Sequence, residues 1–135
     1  MLPIPNEVAN SLSIFDPNTQ TWTNGWWNIF TERGVNKTAA INTSSSGTTI
    51  IVSGIGGKRI CVTSIIFTVG GEVNITLLAG GTSISGPMDF GGSSEPRGLV
   101  SNFGFHHIEI PEGQGFSINA SESVQVSGLV CYYIK

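Results

Sequence analysis

The stretch Arg59-Ile60-Cys61-Val62-Thr63-Ser64-Ile65-Ile66-Phe67-Thr68-Val69-Gly70-Gly71-Glu72-Val73-Asn74-Ile75-Thr76-Leu77-Leu78-Ala79-Gly80-Gly81 decides the fold. Its two apolar runs are rich in β-branched residues, and each stops at a glycine pair, as strands joined by turns do. In 73–79, Val73, Ile75, Leu77 and Ala79 share one face while Asn74 and Thr76 take the other, which is the period of a half-buried strand. In 59–69 both faces are apolar, with Cys61, Ile65, Phe67 and Val69 on one side and Ile60, Val62 and Ile66 on the other. A central strand covered on both sides reads this way.

The same pattern extends outward. Further candidate strands are 48–53, 82–85, 99–103, 105–110, 115–120 and 123–134, with more glycine pairs at Gly56-Gly57 and Gly91-Gly92. Phe116, Ile118 and Ala120 alternate with Gly115, Ser117 and Asn119, and Val124 and Val126 stand opposite Ser123, Gln125 and Ser127. No helical stripe is present after Thr48, and the glycine spacing would penalise one. Short strands at roughly 8–12-residue spacing predict an all-β fold for residues 47–135, an antiparallel β-sandwich or jelly roll.

Residues 1–46 read differently. Pro3, Pro5, Pro17, the turn signals Asp16-Pro17 and Asn24-Gly25, all three tryptophans and the closing tract Asn42-Thr43-Ser44-Ser45-Ser46-Gly47 predict an extended N-terminal arm and linker. Within it Trp22, Trp26, Trp27 and Phe30 form the one dense aromatic cluster and the candidate interface. A primed turn at Asn24-Gly25 would set Thr23 opposite Trp26 and Trp22 opposite Trp27. A short helix would instead align Trp22, Trp26 and Phe30 on one stripe. The rings then have three uses open to them: a satellite core over one end of the sheet, an anchor on a neighbouring subunit, or a platform for stacking sugars.

Composition excludes several classes. Six Lys plus Arg against nine Asp plus Glu, a net charge of −3, cannot supply the basic face of a duplex nucleic-acid binder. With 39% apolar residues the chain has the burial that disordered sequences lack. Its apolar runs are broken by Thr, Ser or Gly far short of the roughly 20 residues of a membrane helix. Met1 to Glu7 shows no basic segment followed by an apolar one, so the expectation is synthesis in a cytoplasm without a secretory leader. The sequons at Asn36, Asn42, Asn74 and Asn119 then signify only an Asn/Ser/Thr-rich surface. Cys61 and Cys131 are by default two reduced thiols, with a disulfide left open because sequence does not fix their separation. The charged fraction of 11% is low against the usual quarter or so. Glu7, Asp16, Glu32, Arg33, Lys37, Lys58 and Arg59 fall in the arm or at the entrance to the sandwich, and the strands use Thr, Ser, Asn and Gln on their polar faces. Such an exterior has little desolvation cost when packed against other subunits, which favours assembly over catalysis.

Few residue patterns in the chain carry chemistry. His106 and His107 are adjacent, so on a strand they point to opposite faces and cannot share one metal. His106 goes with Ile108 and Ile110 toward the core, and His107 with Phe105 and Glu109 away from it. His107 and Glu109, same-face neighbours, could form half of a metal or acid/base site, and nothing in the sequence supplies the other half. Gly54-Ile55-Gly56-Gly57-Lys58-Arg59 has neither the spacing of a phosphate loop nor that of a dinucleotide fingerprint, and reads as a turn. The carboxylates Glu72, Asp89, Glu95, Glu109, Glu112 and Glu122 include no close pair for glycoside chemistry. The expectation is a non-enzyme with no catalytic residue, no cofactor and no metal set.

From Gly57 to the C-terminus the sequence resembles a type of small β-sandwich found among virion proteins of tailed bacteriophages. The resemblance rests on Gly57-Lys58-Arg59-Ile60-Cys61-Val62, Gly81-Thr82-Ser83-Ile84-Ser85-Gly86-Pro87-Met88, Gly113-Gln114-Gly115-Phe116-Ser117-Ile118-Asn119, Val124-Gln125-Val126-Ser127-Gly128 and Val130-Cys131-Tyr132-Tyr133. It implies a capsid decoration or cement protein on the outer capsid surface of the virion, a homotrimer whose partner is the major capsid protein and which binds neither nucleic acid nor membrane. The alternative it leaves is a head- or tail-fibre receptor-binding domain that recognises a host-surface glycan through the tryptophans.

Overall fold

Glycine-terminated β-branched runs become strands wherever the sequence shows them. The computed structural model describes residues 13–16, 21–24, 35–92, 97–104 and 107–135, in two compact units, Met1–Gly34 and Val35–Lys135. Among the described residues of the first unit are β1 (Ser13–Asp16) and β2 (Thr21–Asn24), paired antiparallel. Their register sets Trp22 opposite Phe15 and Asn24 opposite Ser13. A strand at Thr21–Asn24 rules out the short helix through Trp22, while the turn expected at Asn24-Gly25 lies outside the described residues. Trp26, Trp27 and Phe30 lie outside the described residues.

The second unit is an all-β sandwich of two antiparallel sheets. Its strands are β3 (Lys37–Thr43), β4 (Gly47–Val52), β5 (Ile60–Val69), β6 (Val73–Ala79), β7 (Thr82–Ser83), β8 (Met88–Phe90), β9 (Arg97–Asn102), β10 (Ile108–Glu109), β11 (Phe116–Ala120) and β12 (Val126–Ile134). One sheet runs β10-β5-β12-β3, with β9 on the same edge of β5 as β10; the other runs β4-β11-β6-β7, with β8 also on β6. The expected strands are present with shifted ends; within 105–110 the described residues place Ile108–Glu109 in β10, and Phe105 and His106 lie outside the described residues. Strand β3 falls within the stretch assigned to arm and linker, so the sandwich starts earlier than the composition shift at Gly47 suggests. Its run Ala39-Ala40-Ile41 hides the alternation: Ile41 is buried against the core while Ala40 is exposed.

The core forms between the sheets. Val73, Ile75, Leu77 and Ala79 of β6 and Phe116, Ile118 and Ala120 of β11 face it as their spacing predicts, meeting Ile41, Phe67, Val126 and Val130 from the other sheet. Phe67 and Phe90 pack edge to face with centroids 5.2 Å apart. Strict alternation fails in β5. Cys131 of β12 pairs with Ser64 but Tyr132 pairs with Val62, so Thr63 is the extra residue of a β-bulge, its Oγ1 donating to the Cys131 carbonyl at 3.1 Å. Ile60 and Val62 before it, and Ile65, Phe67 and Val69 after it, therefore all point inward. Cys61, expected on the same face as Phe67, points to the opposite one.

Candidate functional site

The outer face of the β5-containing sheet collects the side chains that β5 does not commit to the core. The strand registers arrange them in rows. Gly98, Thr68, Ser127 and Asn42 form one, and Asn102, Ser64, Cys131 and Thr38 another. Between them run Val100, Ile66, Leu129 and Ala40, contributed by β9, β5, β12 and β3. At three inter-strand steps of about 4.8 Å the row is about 14 Å long. Val100 is 77% exposed, Ile66 42% and Leu129 39%, an apolar band left in water. None of these three rows contains a charged residue. The flanking polar side chains hold one another: Gln125 Nε2 donates to Asn42 Oδ1 and to Ser127 Oγ, each at 2.9 Å.

Beyond the bulge the face changes character. Cys61 has Glu109 of β10 as one cross-strand partner and Tyr133 of β12 as the other. The two-residue pairing of β10 places His107, just before it, over the same spot, where its Nδ1 lies 3.1 Å from Tyr133 Oη. The two rings stand edge to face, centroids 5.5 Å apart. His107 Nε2 faces Glu109 Oε2 at 4.0 Å, while Arg59 and Lys135 each reach Glu109 Oε1 at 3.6 Å. The sulfur of Cys61, a ring nitrogen of His107 and a carboxylate oxygen of Glu109 all lie within 4.8 Å of one another.

Electrostatics set the state of the thiol. Burial pushes the Cys61 pKa up; a hydrogen bond from Tyr133 lowers it, Glu109 adds to the rise, and Lys135 and Arg59 oppose it, with a net upward shift. Cys61 is fully buried and protonated, the reverse of the exposed, electropositive setting of a reactive thiolate. The ring nitrogens of His107 face Tyr133 and Glu109, an arrangement that orients the imidazole without directing it as a base at the sulfur.

His107 and Glu109 thus share a face as expected, and Cys61 stands third beside them. Cys61 sits inside an apolar run whose outward face is revealed only by the bulge at Thr63, so no local signal in the sequence joins it to the pair. The placement of β10 beside residues 61 and 62 has no local signal. Both cysteines are free thiols, which closes the disulfide alternative. Of the expected interface, the Trp22 backbone lies in β2, while Trp26, Trp27 and Phe30 are outside the described residues. Among the described residues no helix is long and apolar enough to cross a membrane. Comparison with protein-family models, curated proteins and solved structures found no match.

Proposed function

We propose that the chain is a non-enzymatic assembly protein, and that it acts as a decoration protein on the outer surface of a bacteriophage capsid, bridging capsomers as a homotrimer. The observation that carries the assembly reading is the row Val100, Ile66, Leu129 and Ala40, exposed between two uncharged polar rows. Removing such a band from water stabilises association by about 25 cal/mol per Å² of apolar area. The hydroxyls and amides beside it can re-pair across an interface, where buried charges would carry a desolvation cost. The occupant the face fits is a second copy of this chain, whose own band is identical. The threefold state and the capsid partner come from the resemblance of residues 57–135 to phage virion sandwiches.

The test has two stages. Sedimentation equilibrium should return a mass three times that of the 14.2 kDa chain, and the double variant Val100→Thr/Ile66→Thr, which keeps β-branched residues in both strands, should shift the protein to monomer. Expanded capsids mixed with the purified chain should then bind it and rupture at a higher temperature. A monomer at every concentration sinks the assembly reading, and an oligomer that ignores capsids sinks the virion assignment alone.

A further inference from the structure

We propose that Cys61, His107 and Glu109 form a binding site for a divalent metal of the zinc class, with three protein ligands and a fourth position open. The inference stands apart from the assembly reading, since it uses only the end of the sheet beyond the bulge.

Two strands and the residue before one of them converge on the site. β5 supplies the sulfur, β10 the carboxylate and the residue before β10 the imidazole, all within 4.8 Å of one another. Around zinc, with bonds of about 2.3 Å to sulfur and about 2.0–2.2 Å to nitrogen or oxygen, tetrahedral ligands stand roughly 3.3–3.6 Å apart. No separation need therefore contract by more than about 1.5 Å, and the exposed Glu109 side chain has the freedom to provide it. A thiolate in the set selects against calcium and magnesium and for zinc, cobalt or copper.

The surroundings orient the ligands. Tyr133 is hydrogen-bonded to both His107 Nδ1 and the Cys61 sulfur. With Nδ1–H donating to Tyr133 Oη, the lone pair of His107 Nε2 is turned to the Glu109 side, in the tautomer a metal needs. Arg59 and Lys135 hold Glu109 Oε1, which leaves Oε2 facing the imidazole. Their two positive charges oppose a dication, but both side chains are about half exposed, so solvent screens them, while the thiolate and carboxylate neutralise the metal directly. Binding replaces the thiol proton by the metal and releases that proton to water, with no change of oxidation state.

The tag-free, reduced, metal-free chain titrated with Co²⁺ tests this. A single equivalent should produce a thiolate-to-cobalt charge-transfer band in the near ultraviolet with tetrahedral visible absorption, and Zn²⁺ should erase both. Cys61→Ser should abolish the band and Cys131→Ser should leave it intact. Tyr133→Phe should weaken binding about 10–100-fold, the usual cost of removing a group that orients a ligand. No band at excess cobalt, or a band that follows Cys131 instead of Cys61, overturns the proposal. If Cys61→Ser fails to fold, His107→Gln decides: unchanged cobalt affinity overturns the site, and a loss of tenfold or more supports it.

Discussion

A buried thiol on the outward side of a sheet is an unusual use of cysteine, and its protonation state couples to folding. Burial raises the Cys61 pKa above the usual 9.0, against the Tyr133 hydrogen bond and the nearby Lys135 and Arg59, with Glu109 reinforcing the rise and His107 completing the surround. A group whose folded-state pKa is raised binds its proton more tightly when folded. Its contribution is complete below pH 9.0 and is lost as pH rises through the folded-state value. We expect the urea midpoint of the metal-free protein to fall above that pH more steeply than that of Cys61→Ala, measured side by side. Equal slopes in the two proteins would show that burial of this thiol does not govern alkaline stability. Reactivity should follow the same logic: Ellman's reagent should count two thiols in the unfolded chain, and in the native protein the half-buried Cys131 should react well before Cys61.

At the scale of elements, β12 decides whether the sheet closes, because it is the strand between β5 and β3. Gly128 is its third residue, and a Cβ there would collide with the Ile66 carbonyl oxygen of β5. Gly128→Ala must therefore push β12 away from its partner, at no less than the ~1–3 kcal/mol typical of overpacking. Gly56→Ala meets nothing within 4 Å and should leave the urea midpoint unchanged, so equal midpoints for the two variants would contradict the register. Across the sandwich, Phe116→Ala, which empties a fully buried aromatic site, should cost about 3–5 kcal/mol by the same measurement. How far sequence reads the fold is visible in the same strands. The core faces of β6 and β11 are legible because their apolar residues recur at period two, although Leu78 and Ser117 on the opposite faces are buried as well. β5 is legible as a strand but not in its facing, since both of its faces are apolar and the bulge at Thr63 has no local signature. β3 and β8 are hidden, one by an alanine-rich run and the other by its shortness beside Gly86-Pro87, whereas β10 falls within the expected strand 105–110 and only its place beside β5 has no local signal. The candidate metal ligands inherit that limit: the His107–Glu109 pair follows from spacing alone, whereas Cys61 joins it only through a long-range register.

At the scale of the whole molecule, the distribution of charge separates two ways in which copies of this chain could meet. The rows through Val100, Ile66 and Leu129 contain no charged residue, while the end beyond the bulge concentrates Arg59, Lys135 and Glu109 around His107. Salt distinguishes these two regions, because the Debye length shrinks from about 10 Å at 0.1 M to about 3 Å at 1 M and weakens contacts between exposed ions. An interface built on the apolar band has no ion pair to screen. Excluded salts such as sulfate strengthen apolar burial. We therefore expect the sedimenting mass to stay constant in sodium chloride across that range, and the association constant to rise on adding ammonium sulfate. Val100→Thr/Ile66→Thr should weaken association to the same degree at every ionic strength, since the contribution it removes is not electrostatic. Dissociation by sodium chloride, with the double variant behaving as wild type, would instead move the contact to the Arg59–Glu109–Lys135 end. Metal binding would then compete with assembly for Glu109, and added Zn²⁺ would lower the mass that chloride also lowers; with the apolar band as the interface, Zn²⁺ leaves the mass unchanged.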